Sequence, residues 1–324
     1  MKKIARHIRS FFRIVRNILI DGGILQGHSN KMPKNLIIEP TNLCNLRCAC
    51  CPHGNSSQEE RHKGMMTRES FLRILSNIDI PINGICLYLH GEPFLNGELA
   101  FFVSKTDKLK GVLTTIYSNG YNINPDLLHQ VLAYKKTRFS FSMDIINKEY
   151  YEELRKPALY FKAVESLKQI DTIFAEHDRM YELNMIADET ILENIQTIAD
   201  EIFESFSKLQ KINFNLNYPW PEHFYTGDLK GHLSKKRTLC KQISNDISVY
   251  WNGDTTICSY DFSGKLIIGN MTTAKLSEIY NSSAARKIRK VHFLRQWKKL
   301  PVCEKCLLPR YTSATKSINR LKGK

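Results

Sequence analysis

From residue 35 to residue 217 short β-prone runs alternate with stretches of helical periodicity, and this alternation restricts the fold more than any other feature. NLIIEP (35–40), GICLYLH (84–90), VLTTIYS (112–118), RFSFSMD (138–144), YELNMIA (181–187) and KINFNLN (211–217) read as strands. Residues 65–78, 98–109 and 125–133, and stretches ending near 176 and 206, carry apolar residues at helical spacing. Strands separated by helices form parallel sheets with right-handed crossovers. Six units in about 185 residues fall short of the roughly 250 of a closed eightfold barrel. The expected fold class is α/β, a partial (β/α)6 barrel followed by a small cysteine-rich C-terminal domain.

After residue 220 the pattern changes. PWPEHFYTG (219–227) reads as a linker, and DISVYWNGDTTIC (246–258) places Asn252-Gly253 between β-prone runs. That dipeptide signals a two-residue hairpin turn with positive φ at both positions. Helical stretches follow around 274–280 and 284–297. So short a module has too little apolar sequence for a core of its own and needs a staple. The expected division is an N-terminal helix (1–34), the barrel (35–220), the cysteine-rich domain (221–309) and a basic tail (310–324).

The formal charge of +15 would suggest a nucleic-acid partner if it lay in the body of the chain. It does not: residues 1–20 carry six Lys/Arg and residues 310–324 five, with no acid in either segment. No nucleic-acid groove is therefore expected. No apolar run is long enough to span a membrane, and Arg9, Arg13 and Arg16 interrupt the N-terminus too often for a secretory signal. In a helical projection Ile4, Ile8, Phe11, Phe12, Val15, Ile18 and Leu19 share one face, and Lys3, Arg6, Arg9, Arg13 and Arg16 another. Two roles fit: a helix capping the open barrel, or one lying on an anionic membrane surface. The C-terminal tail reads as a solvated, frayed end.

Nine cysteines without an export signal point to a reducing, cytoplasmic setting, where clustered thiols bind metal or do chemistry. Cys44, Cys48 and Cys51 form C-x3-C-x2-C directly after the first strand. Three thiolates leave one iron of a four-iron cluster open to a ligand that is not protein. A zinc site completed by His53 is the alternative, although closed zinc sites usually pair C-x2-C units. Cys86, within a strand, reads as a small core residue.

In this arrangement the chain resembles the radical S-adenosylmethionine (SAM) enzymes. His90-Gly91-Glu92-Pro93 at the end of the second strand is similar to their Gly-Gly-Glu-Pro segment, with His90 in place of the first Gly. Ser118-Asn119-Gly120 closes the third strand. Ser142-Met143-Asp144, followed by Tyr151-Glu152-Glu153-Leu154-Arg155, resembles the family's pattern near the ribose and carboxylate. The resemblance covers residues 36–217 and implies a 4Fe–4S cluster on Cys44, Cys48 and Cys51. It also implies SAM contacts at Gly91, Glu92, Asn119, Ser142, Asp144 and Arg155. Cys50 stands where the family often has an aromatic residue.

Cys240, Cys258, Cys303 and Cys306 follow a C-x12-G-x4-C, then C-x2-C, spacing, and IIGNMTTAKLSEIYNSS (267–283) follows the hairpin. This resembles the SPASM/twitch extension of the same family, in the shorter twitch form with one auxiliary 4Fe–4S cluster. Four-cysteine zinc is the alternative. The resemblance implies an oxidoreductase that reductively cleaves SAM, fed by a reductant such as flavodoxin or ferredoxin. It would remove a hydrogen atom from a sugar-like or cyclitol alcohol and pass an electron to the auxiliary cluster. Modification of a ribosomally made peptide is the second reading, and a zinc-bearing, non-catalytic binding module the third.

Overall fold

The computed structural model describes residues 2–25, 32–55, 61–216, 234–240, 242–310 and 315–320, with N-terminal side chains from Phe11 onward. The expected linker at 219–227 and the side chains of Lys3, Ile4, Arg6, Ile8 and Arg9 lie outside the described residues. Six parallel strands carry the barrel: β1 (Asn35–Ile38), β2 (Gly84–Leu87), β3 (Leu113–Ser118), β4 (Thr137–Ser142), β5 (Tyr181–Ala187) and β6 (Leu209–Leu216). Helices Arg68–Ser76, Leu99–Thr106, Pro125–Leu132, Tyr160–Glu176 and Ile195–Ser205 stand between successive strands. The partial barrel expected from the alternation is present.

Strands β3, β5 and β6 sort their residues by face. In β5, Tyr181, Leu183, Met185 and Ala187 are buried, while Glu182, Asn184 and Ile186 between them are partly exposed. In β3, Thr114, Ile116 and Ser118 are buried, and Thr115 and Tyr117 are partly exposed. The buried set packs on the helices: Phe139 and Phe141 meet Phe174 edge to face, and Phe71 stacks on Phe102 at 4.3 Å. Strands of a fully buried parallel sheet would be apolar on both faces. Here the second face is polar and half open, so the barrel interior is lined rather than filled.

The C-terminal domain solves its core problem differently from the staple expected. β7 (Asp246–Val249) pairs parallel with β1, and β8 (Asp254–Thr256) and β9 (Ile267–Asn270) continue the sheet antiparallel. Ile247, Val249, Leu276 and Ile279 join the same apolar core as the barrel. The module borrows its core by extending the sheet. The β7–β8 connection is also one residue longer than the Asn-Gly reading. Gly253 N–H donates to Tyr250 at 2.8 Å and Tyr250 N–H to Asp254 at 2.8 Å, which leaves three residues in the loop. Gly253 alone has positive φ (+87°), and a Cβ there would lie 2.5 Å from Thr272 Cγ2. This is the three-residue hairpin with glycine in the left-handed position.

The tail is not frayed throughout. β10 (Lys316–Asn319) adds antiparallel to β6, so the sheet runs β10-β6-β5-β4-β3-β2-β1-β7-β8-β9. Ser317 donates to Asn213 Oδ1 at 2.7 Å, and the Arg320 guanidinium donates to the Leu209, Phe203 and Phe206 carbonyls. The basic side chain that read as solvated charge closes a strand end.

The N-terminal helix Lys2–Asp21 forms as expected but is not a barrel lid over its described length. Phe11, Phe12, Ile14 and Ile18 are 61%, 65%, 53% and 50% exposed. Its C-terminal end instead borders Leu239, Cys240, Ile243 and Phe293 around a cavity of about 200 Å³. No helix among the described residues is long and apolar enough to cross a membrane.

Candidate active site

The loop after β1 carries Cys44, Cys48 and Cys51 to the carboxyl end of the sheet, where ligands collect in parallel α/β folds. Arg47 N–H donates to Lys156 at 2.6 Å and Ala49 N–H to Leu154 at 2.8 Å, pinning the loop to the segment that carries Arg155. The three cysteines line a cavity of about 240 Å³ together with Cys50, Tyr88, Gly91, Glu92, Tyr117, Asn119, Ser142 and Arg155. Five of the six residues expected to hold SAM thus stand on one wall with the triplet. The sixth does not. Asp144 is fully buried behind the wall, one oxygen on Arg155 Nε and the other accepting from Ile186 N–H. It aims Arg155 rather than facing the cavity.

The structure explains these residue types. A Cβ on Gly91 would lie 2.2 Å from the Thr41 carbonyl and 2.6 Å from that of Leu43, so only glycine lets this turn pass against the cysteine loop. Glu92 N–H donates to the Leu43 carbonyl at 2.8 Å, and the Glu92 carboxylate accepts from Phe94 N–H, Ser118 Oγ–H and Asn119 N–H at 2.7–3.1 Å. Burial pushes its pKa up to about 7, against the pull of the three donors. Its oxygens bind the loops to one another. Asn119 bonds Asn45 at 2.7 Å and reaches Cys44 Sγ at 3.8 Å.

Whether this set fits an iron–sulfur cluster is tested by the sulfurs' surroundings. Leu46 N–H approaches Cys44 Sγ at 3.5 Å, and the Arg155 guanidinium approaches Cys48 Sγ at 3.7 Å. Donors aimed at sulfur favour thiolate. Burial opposes it, pushing Cys44 up to about 11 and Cys51 well above its ordinary value, so thiolates here need a cation to share them. The donor set fits. Among the described residues no group of three His, Cys, Asp or Glu side chains converges to hold a single metal ion. His53, the alternative fourth ligand, meets the His90 carbonyl through Nε2 and Phe262 edge on. Cys86 is less buried than a core residue should be, and burial pushes its thiol up to about 12, so it stays protonated.

The cysteines of the second set lie near enough to act on one another electrostatically, although no three of them close on a single ion. Burial raises the Cys258 thiol well above its ordinary value, and the charges of Cys240, Cys303 and Cys306 raise it further. Cys303 is pushed up to about 12 by burial, then by Cys306 and Cys240. Asp261, fully buried, accepts from Thr256 Oγ–H, Lys265 N–H and Leu266 N–H at 2.8–2.9 Å and fixes the loop after Cys258. Burial, aided by the charge of Arg237, lowers His292 to about 4 and keeps it neutral beside Cys303.

A buried ion pair that no local pattern announces joins the two regions. The Arg61 guanidinium holds both Glu39 oxygens, at 2.7 and 3.0 Å, and lies 3.6 Å over the Tyr250 ring. Arg61 Nε–H donates to Phe262 at 2.9 Å, and Trp251 N–H donates to Glu39 at 3.1 Å. His90 Nδ1 lies 3.0 Å from Arg61, and its Nε2–H donates to the Ser259 carbonyl at 2.9 Å. The residue replacing the first family glycine thus clasps the auxiliary domain one residue from Cys258.

A sequence model of the Radical SAM superfamily matches residues 38–198, and one described as an iron–sulfur cluster-binding domain, SPASM, matches residues 240–307. Among curated proteins, a GTP 3′,8-cyclase of Peptoclostridium acidaminophilum is 23% identical over 152 residues, 46% of each chain. A second, of Alkaliphilus oremlandii (strain OhILAs), is 22% identical over 133 residues, 41% of each. The match spans less than half the length of either relative. Among solved structures, BtrN in complex with AdoMet and 2-DOIA is similar with a TM-score of 0.57 at 16% identity, over 85% of this chain and 92% of that one. Native anSMEcpe with bound AdoMet scores 0.60 at 17% identity, over 84% and 89%. Streptococcus suis SuiB bound to precursor peptide SuiA scores 0.59 at 16% identity, over 84% and 69%. These likenesses show the fold.

The ion pair generates a pH prediction. Burial alone would raise the Glu39 carboxyl, but the His90 hydrogen bond and the Arg61 charge bring it down from 4.5 to about 2. A depressed carboxyl contributes stability that is complete above its unfolded value and is lost as pH falls from about 4.5 to about 2. Glu39→Gln strands a mostly buried guanidinium and should cost about 3–5 kcal/mol at pH 7, with a flatter stability profile below pH 4.5. Denaturant unfolding of both proteins across pH 3–7 reads this. Parallel profiles would show that the pair contributes nothing.

Proposed function

This chain belongs to the radical SAM superfamily, and from that premise we propose that it oxidises a small polyhydroxylated substrate, a sugar-like or cyclitol alcohol, held within the open barrel. The observation that carries the substrate class is the inner wall. Glu182, Asn184, Asn213 and Asn215 alternate with the buried residues of β5 and β6, and Thr115 and Tyr117 do so in β3. Such a surface hydrogen-bonds hydroxyl groups and has little to offer an apolar chain. That BtrN is solved with the small molecule 2-DOIA supports the reading; that SuiB is solved with a precursor peptide keeps peptide modification as the competing outcome.

In this reading Cys44, Cys48 and Cys51 hold a 4Fe–4S cluster with one iron open. Cys240, Cys258, Cys303 and Cys306 hold a fully ligated auxiliary one. When bound, the first cluster supplies the electron that cleaves SAM, delivered by a flavodoxin- or ferredoxin-type reductant. Arg155, aimed by Asp144, offers its charge to the SAM carboxylate. Asn119 and Ser142 offer hydrogen bonds, and Gly91 gives the backbone clearance. Bound SAM and the auxiliary cluster would together supply a two-electron oxidation of the alcohol to the carbonyl, one hydrogen atom leaving to the cofactor, the second electron to the auxiliary cluster and the second proton to water. The barrel's own task is to fix the carbinol carbon beside SAM and exclude competing donors.

Two measurements test this. Replacing Cys44, Cys48 and Cys51 with Ala should remove about four irons and abolish deoxyadenosine formation under dithionite. Replacing Cys303 and Cys306 instead should also remove about four, yet leave uncoupled SAM cleavage. Zinc at either site, or cleavage by the triple variant, would refute the assignment. With a cyclitol or amino-sugar alcohol deuterated at its carbinol carbon, deuterium should appear in deoxyadenosine. Deuterium transfer only from peptides would turn the reading to the maturase class.

We further propose that the N-terminal helix rests on an anionic membrane surface, because Phe11, Phe12, Ile14 and Ile18 stand in solvent beside exposed Arg13 and Arg16. Each basic residue near such a surface contributes about 1 kcal/mol. Full-length protein should sediment with anionic vesicles at low salt and be released at high salt. A chain starting at Asn35 should stay in solution with both anionic and neutral vesicles. Equal behaviour of the two chains would reject the contact.

A further inference from the structure

Beside the second cysteine set lies a histidine that the reading above leaves without a task. His292, next to last in helix Ser283–Phe293, is 2% exposed, and its Nε2 lies 3.3 Å from Cys303 Sγ. Its Nδ1 is buried with no hydrogen-bond partner. A buried polar atom left unsatisfied is costly, so the ring is held here against a penalty. Arg237 stands behind the same cysteine: its Nη2–H donates to the Cys303 carbonyl at 2.8 Å, and its guanidinium lies 4.7 Å over the Trp297 ring. One neutral donor and one fixed cation thus converge on a single ligand.

We propose that His292, supported by Arg237, is a positioning residue that sets the reduction potential of an auxiliary cluster through an N–H···S bond to Cys303. The proposal rests on reading Cys240, Cys258, Cys303 and Cys306 as cluster ligands. A cluster-bound thiolate only accepts hydrogen bonds, so the ring proton belongs on Nε2. Reduction adds negative charge that spreads onto the thiolate sulfurs, and a donor at 3.3 Å binds the reduced form more strongly than the oxidised one. The nearby guanidinium acts in the same direction. Both raise the potential, which suits a site that receives an electron.

The test is an anaerobic redox titration of the full chain followed by electron paramagnetic resonance, the auxiliary signal being the one that added SAM does not change. In His292→Leu the ratio of reduced to oxidised auxiliary cluster at a fixed potential should fall at least tenfold, a shift of about 59 mV for one electron. His292→Gln, which keeps an N–H donor, should recover most of it. An unchanged midpoint in His292→Leu, with iron content equal to wild type, overturns the proposal. If His292→Leu loses iron, wild-type protein labelled with 15N-histidine decides: a nitrogen hyperfine coupling on the auxiliary signal supports the bond, and its absence refutes it. A wild-type chain with zinc, or without a second cluster, defeats the ligand reading itself, which the iron count reports separately.

Discussion

Burying Glu39 against Arg61 is the constraint on which the rest of the site depends. A carboxylate with no exposure is tolerable only if its charge is matched and its lone pairs are used. Arg61, Trp251 and His90 do this from three different segments. Satisfying one acid therefore fixes where the cysteine loop leaves β1, where the β2 turn lies and where the C-terminal domain docks. A hydrophobic contact in the same place would hold the parts together with less directional demand. The charge pair makes their relative orientation part of the electrostatic solution.

The sheet topology carries the same logic at larger scale. Because β7 pairs with β1 in register from Asn35 opposite Asp246 to Ile38 opposite Val249, the two cysteine-bearing segments grow from adjacent strands. The distance between the two sites is thus set by strand spacing. An auxiliary domain on a flexible tether would sample many separations. One built into the barrel's own sheet has few.

Much of this was legible in the sequence, for identifiable reasons. The six strands were readable because period-2 patterning against helical patterning is local. The two cysteine sets were readable because ligand spacing is also local. Asn119, Ser142 and Arg155 share a cavity with the first cysteine set because strand ends in a parallel fold share one rim. What stayed hidden was long-range. Nothing near Glu39 or Arg61 announces a pair across an unrelated loop, and KSIN (316–319) is too short and polar to read as an edge strand until β6 offers a ladder. Asp144 was assigned to the cavity because sequence order shows which rim a residue is on, but not whether its oxygens are already bound.

The hairpin shows how a correct signal can yield the wrong detail. Asn252-Gly253 marks the turn, but two-residue turns need positive φ at both positions, and Asn252 does not adopt it. Instead Asn252 uses its amide to bond Asp254 at 2.7 Å, while Asn270 from β9 reaches Asp254 at 3.0 Å. With one Asp254 oxygen satisfied from within the loop and the other from the neighbouring strand, the longer loop with one left-handed glycine is held in place. Its extra residue lets Trp251 turn its N–H to Glu39 and its indole to the His62 carbonyl. The turn type was therefore decided by the barrel beneath it: the buried acid that organises the first cysteine loop also selects the geometry of the hairpin leading to Cys258.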